Sequence, residues 1–359
     1  MNAALPHRLG ARDKTRRYRL WLIGLTAALL LVGVVSLGVG AVEIPLPDIL
    51  RAFAAKLGLG AEVGKTQELV LFNIRLPRLL LGVLVGAALG LSGAALQGLF
   101  RNPLVEPGII GVSSGAALGA ILVIVFLGMW LPAFVEVSEY WLMPLCAFLG
   151  GGAATLVTLK LSAFEGKTQI TYLILAGVAI NALAGAVIGL AIFFADDTQL
   201  RTYTFWTLGD LSVATWEKLY LLTPLIVLAC VGMIGLGKPL NAIALGESEA
   251  FHSGVSVERV KIRVVFFGAL AVGTAVAFTG IIGFVGLVVP HIVRIAFTSD
   301  HRMVLPASAL GGAILLLLAD LFARVVVAPA ELPIGVVTAV IGTPFFLYLL
   351  IRSKTKRLL

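Results

Sequence analysis

The sequence predicts an all-α integral membrane protein, and three observations predict it. Of the 359 residues, 59% are hydrophobic, and mean hydropathy is +1.04. Charged residues make up only 13%, about half the ~25% share of a soluble domain. Those charges are bunched, and long unbroken apolar stretches run between them. A single soluble core of this length does not bury so much apolar surface. A disordered chain is polar, and a membrane β-barrel alternates instead of running continuously apolar. Helices remain, because each satisfies its own backbone in lipid.

Nine stretches contain no Asp, Glu, Lys or Arg: 20–42, 79–100, 107–135, 140–159, 168–195, 219–237, 264–293, 303–319 and 332–351. A helix needs about 20 apolar residues to cross the hydrocarbon core, so nine or more spans are predicted. The first stretch follows Arg8, Arg12, Lys14, Arg16, Arg17 and Arg19. At 23 residues, with eight further runs behind it, it reads as a span and not a cleaved leader. The chain also ends basic, at Arg352, Lys354, Lys356 and Arg357. Positive segments stay cytoplasmic, so both ends lie inside and the span count is even. The longest run, 264–293, is the one to split, at Gly280-Ile281-Ile282-Gly283. Ten spans result, and at least one half of the split run is too short for the full hydrocarbon thickness.

The charge balance tests this topology. Segments assigned inside (1–19, 101–106, 160–167, 238–263, 294–302, 352–359) hold 19 Lys/Arg and 7 Asp/Glu. Those outside hold 8 and 12, so the faces carry +12 and −4. Without the N-terminal tail the Lys/Arg count is still 13 inside against 8 outside. The pI of 9.7 is therefore an orientation signal and not one for nucleic acid. The chain divides into a cytoplasmic basic tail (1–19), one transmembrane domain (20–352) and a short cytoplasmic tail (353–359).

Two connections are long. Residues 43–78 lie outside. Residues 238–263 lie inside and read as short amphipathic helices broken at Gly246 and Gly254, either a platform for a soluble partner or a solvated connector. A weak repeat links Ser92-Gly93, Gly98-Leu99 and Pro103 to Thr279-Gly280, Gly286-Leu287 and Pro290, at offsets of 187, 188 and 187. The first copy starts outside and the second inside, an inverted arrangement, unless small residues in glycine-rich helices match by chance. Gly82, Gly86, Gly90, Gly93, Gly177, Gly185 and Gly189 fall inside spans, where small residues let helices approach closely.

Several chemistries are missing. Residues 58–66 imitate a phosphate-binding loop, but Leu59 stands where that loop needs glycine. His7, His252, His291 and His301 are scattered, with His291 read as a helix-end histidine, and no zinc motif appears. Cys146 and Cys230 sit in apolar runs as inert small hydrophobes. No acid lies within a charge-free run, and Asp320 and Glu106 read as span-end residues. Ion-driven carriers usually place carboxylates at mid-membrane, so the energy for any pumping is expected from elsewhere.

At this point the residues resemble a known family. The carriers of the resemblance are Arg75-Leu76-Pro77-Arg78, the stretch 92–120 through Arg101-Asn102-Pro103 and Glu106-Pro107-Gly108, and Gly283-Phe284-Val285-Gly286 with Pro290-His291 and Arg294. Asp300-His301-Arg302 and the stretch 331–346, from Glu331-Leu332-Pro333 to Pro344-Phe345-Phe346, complete the set. Together they are similar to the FecCD-type permeases. These are the membrane subunits of type II ATP-binding-cassette importers for vitamin B12, ferric siderophores and haem. The resemblance covers about residues 20 to 352. It implies ten spans, an inverted repeat of spans 2–5 and 7–10, and a homodimer with the pathway at the subunit interface. It also implies two cytoplasmic ATPase subunits, which bind the ATP and Mg, and a periplasmic binding protein. The chain itself is then a transport subunit of a bacterial inner membrane, not an enzyme, and holds no cofactor or metal.

The same resemblance implies site residues. The platform 238–263 is similar to the family's coupling helices, with Gly246, Glu247, Ala250, Gly254 and Val255 on the pattern and Ser253 departing from a usual Leu. Arg51, Lys56, Arg75, Arg78 and Arg324 are candidates for docking the binding protein; Arg75, Arg78 and Arg324 read equally as anchors of their own helices. Span 5 and the outer helix after it line the pathway by analogy, with Asn181, Gly177 and Trp206 as candidates. Asn181 reads otherwise as an interhelical hydrogen bond. The stretches 196–211 and 100–115 are most similar to the haem-importing branch. Haem is flat, apolar and dicarboxylate, and suits a greasy path; ferric siderophores and cobalamin are the alternatives, and an ion-coupled carrier the third.

Overall fold

Apolar runs that must satisfy their own backbone become helices, and in a computed structural model most of the described residues do. The structure describes residues 11–40, 42–59, 64–127 and 132–357. The basic residue Arg8, residues 60–63 of the loop-like stretch 58–66 and the last two residues lie outside them. In order the helices are α1 (Ala11–Gly38), α2 (Leu46–Lys56), α3 (Lys65–Phe100), α4 (Val112–Leu127), α5 (Pro132–Ser162), α6 (Ile170–Phe194) and α7 (Asp197–Thr207). There follow α8 (Trp216–Ile234), α9 (Gly237–Leu245), α10 (Glu247–His252), α11 (Val257–Thr279), α12 (Val285–Ala296), α13 (His301–Val325) and α14 (Ile334–Arg357). A hairpin of two-residue strands, β1 (Ala163–Phe164) and β2 (Lys167–Thr168), joins α5 to α6.

Among the described residues seven helices (α1, α3, α5, α6, α8, α11 and α13) are long and apolar enough to cross a membrane. Three apolar helices are shorter: α4, α12 and Ile334–Tyr348 of α14. The long run 264–293 breaks where expected. α11 stops at Thr279, Gly280 and Phe284 take positive φ of 72° and 66°, and α12 restarts at Val285. At 12 residues, α12 is about 18 Å long, well short of a hydrocarbon core of about 30 Å.

Two boundaries differ from the sequence expectation. α3 begins at Lys65, ten residues before the Arg75-Leu76-Pro77-Arg78 motif and within the stretch 43–78 expected outside. Pro77 cannot donate a helical hydrogen bond, and a π-helical turn at Val70–Arg75 precedes it. The indole of Trp216 donates to the carbonyl of Phe72, five residues before the proline, at 2.9 Å. The run 107–135 does not open as a span. Pro107–Ile110 form a 3-10 turn, and the Ile109 carbonyl abuts Gly177 of α6, about 10 Å along that helix at 1.5 Å per residue. Irregular backbone at such depth is tolerated because protein surrounds it. Glu106 is drawn in with it, and its carboxylate accepts the Phe284 N–H at 3.0 Å, an anion at the start of α12.

The core is built around α3, which packs on α13, α11, α12 and α8. Small residues make this possible. A Cβ on Gly90 would fall on the Ser308 carbonyl, and one on Gly93 on the Gly286 backbone. Buried Gln97 adds hydrogen bonds from its amide to the carbonyls of Val105, Gly286 and Leu287 at 3.1–3.3 Å. On α6 the same glycine reading holds at Gly177, pressed against the Ile109 carbonyl, and fails at the other two positions. Among the described residues, nothing lies within 4 Å of a Cβ built at Gly185 or Gly189.

Candidate functional site

Chemistry collects at the two ends of the bundle and along α6. At one end α9 and α10 form a platform. Gly246 and Gly254 flank α10 with φ of +141° and +83°, a region that glycine enters without strain. Ala250 is fully buried beneath them, and the Ser253 hydroxyl turns back to the Ala250 carbonyl at 2.8 Å. The Val255 N–H donates to that same carbonyl at 3.0 Å. Of the six residues expected to couple, Gly246 and Ala250 are buried, Glu247 and Val255 half-buried, and Ser253 and Gly254 exposed. Large apolar groups face outward too: Leu245, 80% exposed, and Phe251, 69% exposed. Sequence reading passed over both, because it followed the glycine spacing and not the outer face of the short helices.

The platform is tied down on two sides. On α9, the Asn241 amide donates to Asp300 at 2.7 Å and its oxygen accepts from the His301 N–H and ring at 2.8 and 2.9 Å. Arg302 grips the same carboxylate through Nε at 3.0 Å. These bonds, Arg302 foremost, hold the Asp300 carboxyl well below the usual range. The Asp300-His301-Arg302 motif is thus the joint between platform and α13. On the other side, buried Lys261 at the start of α11 reaches Glu247 at 2.7 Å and the Thr168 carbonyl at 2.8 Å. Thr168 in turn bonds Glu258 through its N–H at 3.0 Å and its hydroxyl. A cleft of about 880 Å³ opens beside this cluster, lined by Arg101, Lys167, Glu258 and Phe251 among others.

At the opposite end the structure corrects the docking set. Arg75, Arg78 and Arg324 are buried. Arg78 pairs with Asp320 at 2.8 Å and with Glu331 at 2.8 Å, and Arg324 Nε lies 3.1 Å from Asp320. Arg75 donates to the carbonyls of Leu37, Gly38 and Val42, while Arg324 takes those of Ser36 and Val39. The two arginines therefore cap the end of α1, whose last carbonyls have no helical partner. They are anchors, as the alternative reading had it. Arg51 and Lys56 of α2 remain exposed at the surface, in ion pairs with Asp48 and Glu68 at 3.1 and 3.0 Å. Asp320 is also corrected: α13 runs past it to Val325, so this carboxylate, 2% exposed, sits within an apolar helix. Arg78 and Arg324 neutralise it, as burial of a charge demands.

The pathway candidates face their own chain. Asn181 accepts from the Ser114 hydroxyl and donates to the Gly108 carbonyl at 3.3 Å, which is the interhelical alternative. Gly177 is pressed against Ile109, and Trp206 is half-buried and stacked on Tyr203, centroids 6.5 Å apart. The open face of α6 carries Leu175, Val178, Leu183, Leu190 and Phe193. The His291 ring meets Phe345 edge-on at 6.3 Å. Among the described residues no three His, Cys, Asp or Glu side chains converge on a point where a metal would sit.

Comparison with known proteins agrees with this architecture. The hemin transport system permease protein HmuU of Yersinia pestis is 45% identical over 285 residues, 79% of this chain and 84% of the relative. The vitamin B12 import system permease protein BtuC of Salmonella typhi is 40% identical over 96% of this chain and 98% of its own. A solved inward-facing conformation of a metal-chelate type ABC transporter superposes with a TM-score of 0.81 at 33% identity, covering 93% of this chain and 99% of that one. The FecCD transport family profile matches residues 28–352. Matched over nearly its whole length, and built as a helical ABC-transporter permease, the chain belongs to the FecCD transport family.

Proposed function

We propose that this chain is the permease of an ATP-driven importer that moves haem from the periplasm into the cytoplasm across a bacterial inner membrane. The observation that carries the reading is the platform. Two short helices with glycine at both ends of α10 hold Leu245 and Phe251 outward, while their polar residues are tied to the starts of α11 and α13 and, through Lys261 of α11, to the strand before α6. Large apolar groups presented together mark a protein contact. A cytoplasmic ATPase subunit seated there moves α6 and α13 together when it closes. Two such subunits hold ATP and Mg, so the chain is not itself an enzyme.

In this reading the seven long and three shorter apolar helices are ten spans with both termini cytoplasmic, set between tails 1–19 and 353–359. Packing supports the inverted repeat. Exchanging α3 with α11, α4 with α12, α5 with α13 and α6 with α14 turns the α3–α13 contact into α11–α5, and α5–α6 into α13–α14; all four occur. The open face of α6 meets a second copy and, with it, lines the path. Gly246, Glu247, Ala250, Ser253, Gly254 and Val255 shape the coupling surface, and Arg51 and Lys56 face the periplasmic binding protein.

Haem is favoured by the hemin permease relative and by the greasy open face of α6. The vitamin B12 permease relative, matched over more of the chain, favours the same machine carrying cobalamin or a ferric siderophore. An ion-coupled carrier is disfavoured, because Asp320 and Glu106 are both bound to partners. Reconstituted in liposomes with its ATPase and binding protein, the chain is expected to take up haem, and haem to stimulate ATP hydrolysis. Stimulation by cobalamin or a ferric siderophore with haem inert would replace the haem assignment. Uptake driven by an ion gradient without ATP would overturn the importer.

A further inference from the structure

Thr168 is a buried residue of β2, two before the start of α6, and none of its polar groups is left to water. Its N–H and hydroxyl both donate to the Glu258 carboxylate, and its carbonyl accepts from Lys261. Backbone in a two-residue hairpin ordinarily bonds across the hairpin or to solvent. Here side chains from the first turn and a half of α11 hold it, and they come from 90 and 93 residues away. Lys261 is itself buried, and among the described residues its ion-pair partner is Glu247, the first residue of α10. A single ammonium thus bridges the platform to the strand that feeds α6.

We infer that Lys261 and Glu258 are positioning residues that clamp the β1–β2 hairpin to the platform, so that platform and foot of α6 move as one body. This rests on the importer reading, and it adds how motion reaches α6. Among the described residues, the hydrogen bonds that join hairpin and platform run through Lys261. The cleft of about 880 Å³ beside it leaves the hairpin room to lag behind. The α13 side has its own joint at Asn241 and Asp300, so losing the clamp separates two motions that normally coincide. Charge is essential to the design: the buried carbonyl of Thr168 and the carboxylate of Glu247 both need the ammonium, and no apolar side chain replaces it.

The test compares Lys261→Met, Glu258→Gln and Lys261→Arg in the full complex with ATPase and binding protein. ATP hydrolysis is expected to persist in all three. Uptake per ATP hydrolysed should fall roughly tenfold in Lys261→Met, within the range of intersite couplings, fall less in Glu258→Gln, and stay near wild type in Lys261→Arg. Spin labels at Lys167→Cys and His252→Cys, with Cys146 and Cys230 replaced by Ala, read the clamp directly. One narrow distance is expected with and without ATP, broadening when Lys261→Met is added. Unchanged uptake per ATP in Lys261→Met, or a distance that stays narrow, overturns the inference. If Lys261→Met does not assemble, the isosteric Glu258→Gln decides by the same two readings. A wild-type complex that hydrolyses ATP without moving any chelate instead sinks the importer reading, and the label distance still judges the clamp.

Discussion

α3 and α6 are equally apolar and both long enough to cross a membrane, yet 72% of the apolar stretch of α3 is buried and only 22% of that of α6. Hydropathy reports that a segment enters lipid, and says nothing of what covers it. α3 is the axis on which the chain folds against itself, with glycines set against the backbones of α12 and α13. α6 packs inward through Gly177 and Asn181 and leaves Leu175, Val178, Leu183, Leu190 and Phe193 uncovered by its own chain. The same residue type means opposite things on the two helices. Gly93 is a packing necessity, while Gly185 leaves open space.

The strongest way to break the comparison is to attack the charge pair that fastens α13 to α3. Asp320→Asn leaves Arg78 and Arg324 without their shared buried carboxylate. Removing one partner of a buried pair costs about 3–5 kcal/mol, so thermal unfolding in detergent should drop sharply or folded protein be lost. A melting point equal to wild type would mean that the pair is solvated. A smaller effect sharpens the contrast. Gly93→Ala puts a methyl into the Gly286 backbone, which cannot step aside, and should cost about 1–3 kcal/mol. Gly185→Ala meets nothing and should change stability by no more than about 0.5 kcal/mol. If the two melt alike, the division between core helix and open helix is wrong.

These contrasts also mark what was legible in the sequence. Charge-free runs reveal helices because the lipid requirement acts on each segment alone. The break at Gly280 and the platform turns at Gly246 and Gly254 were readable for the same reason, since backbone conformation is a local matter. Partners are not local. The acids that neutralise Arg78 come from 242 and 253 residues along the chain, and Ser114 lies 67 residues from Asn181. No pattern within a segment announces such pairs, so three arginines read equally as docking groups or as anchors, and one asparagine as a pathway residue or an interhelical hydrogen bond. Pro77 misled in the other direction: it reads as the start of a helix that begins twelve residues earlier. Leu245 and Phe251 were hidden because nothing in a nine-residue and a six-residue helix says which side the bundle will take.

The smallest effect concerns the joint that connects the platform to α13, the partner of α3, as Lys261 and Glu258 connect it to α6. The Asp300 carboxyl is depressed by hydrogen bonds from Arg302 first, with Asn241 adding to them. For a group whose folded pKa is lowered, the stabilisation is complete above its unfolded value, about 4. It is lost only as pH falls through the lower folded value. Between about pH 5 and 8 the Asp300 carboxyl therefore adds no pH dependence of its own. The melting difference between wild type and Asp300→Asn should stay constant across that window and narrow only in stronger acid. A difference that changed between pH 5 and 8 would mean that Asp300 titrates near neutrality, and then Arg302 and Asn241 would not be holding its charge.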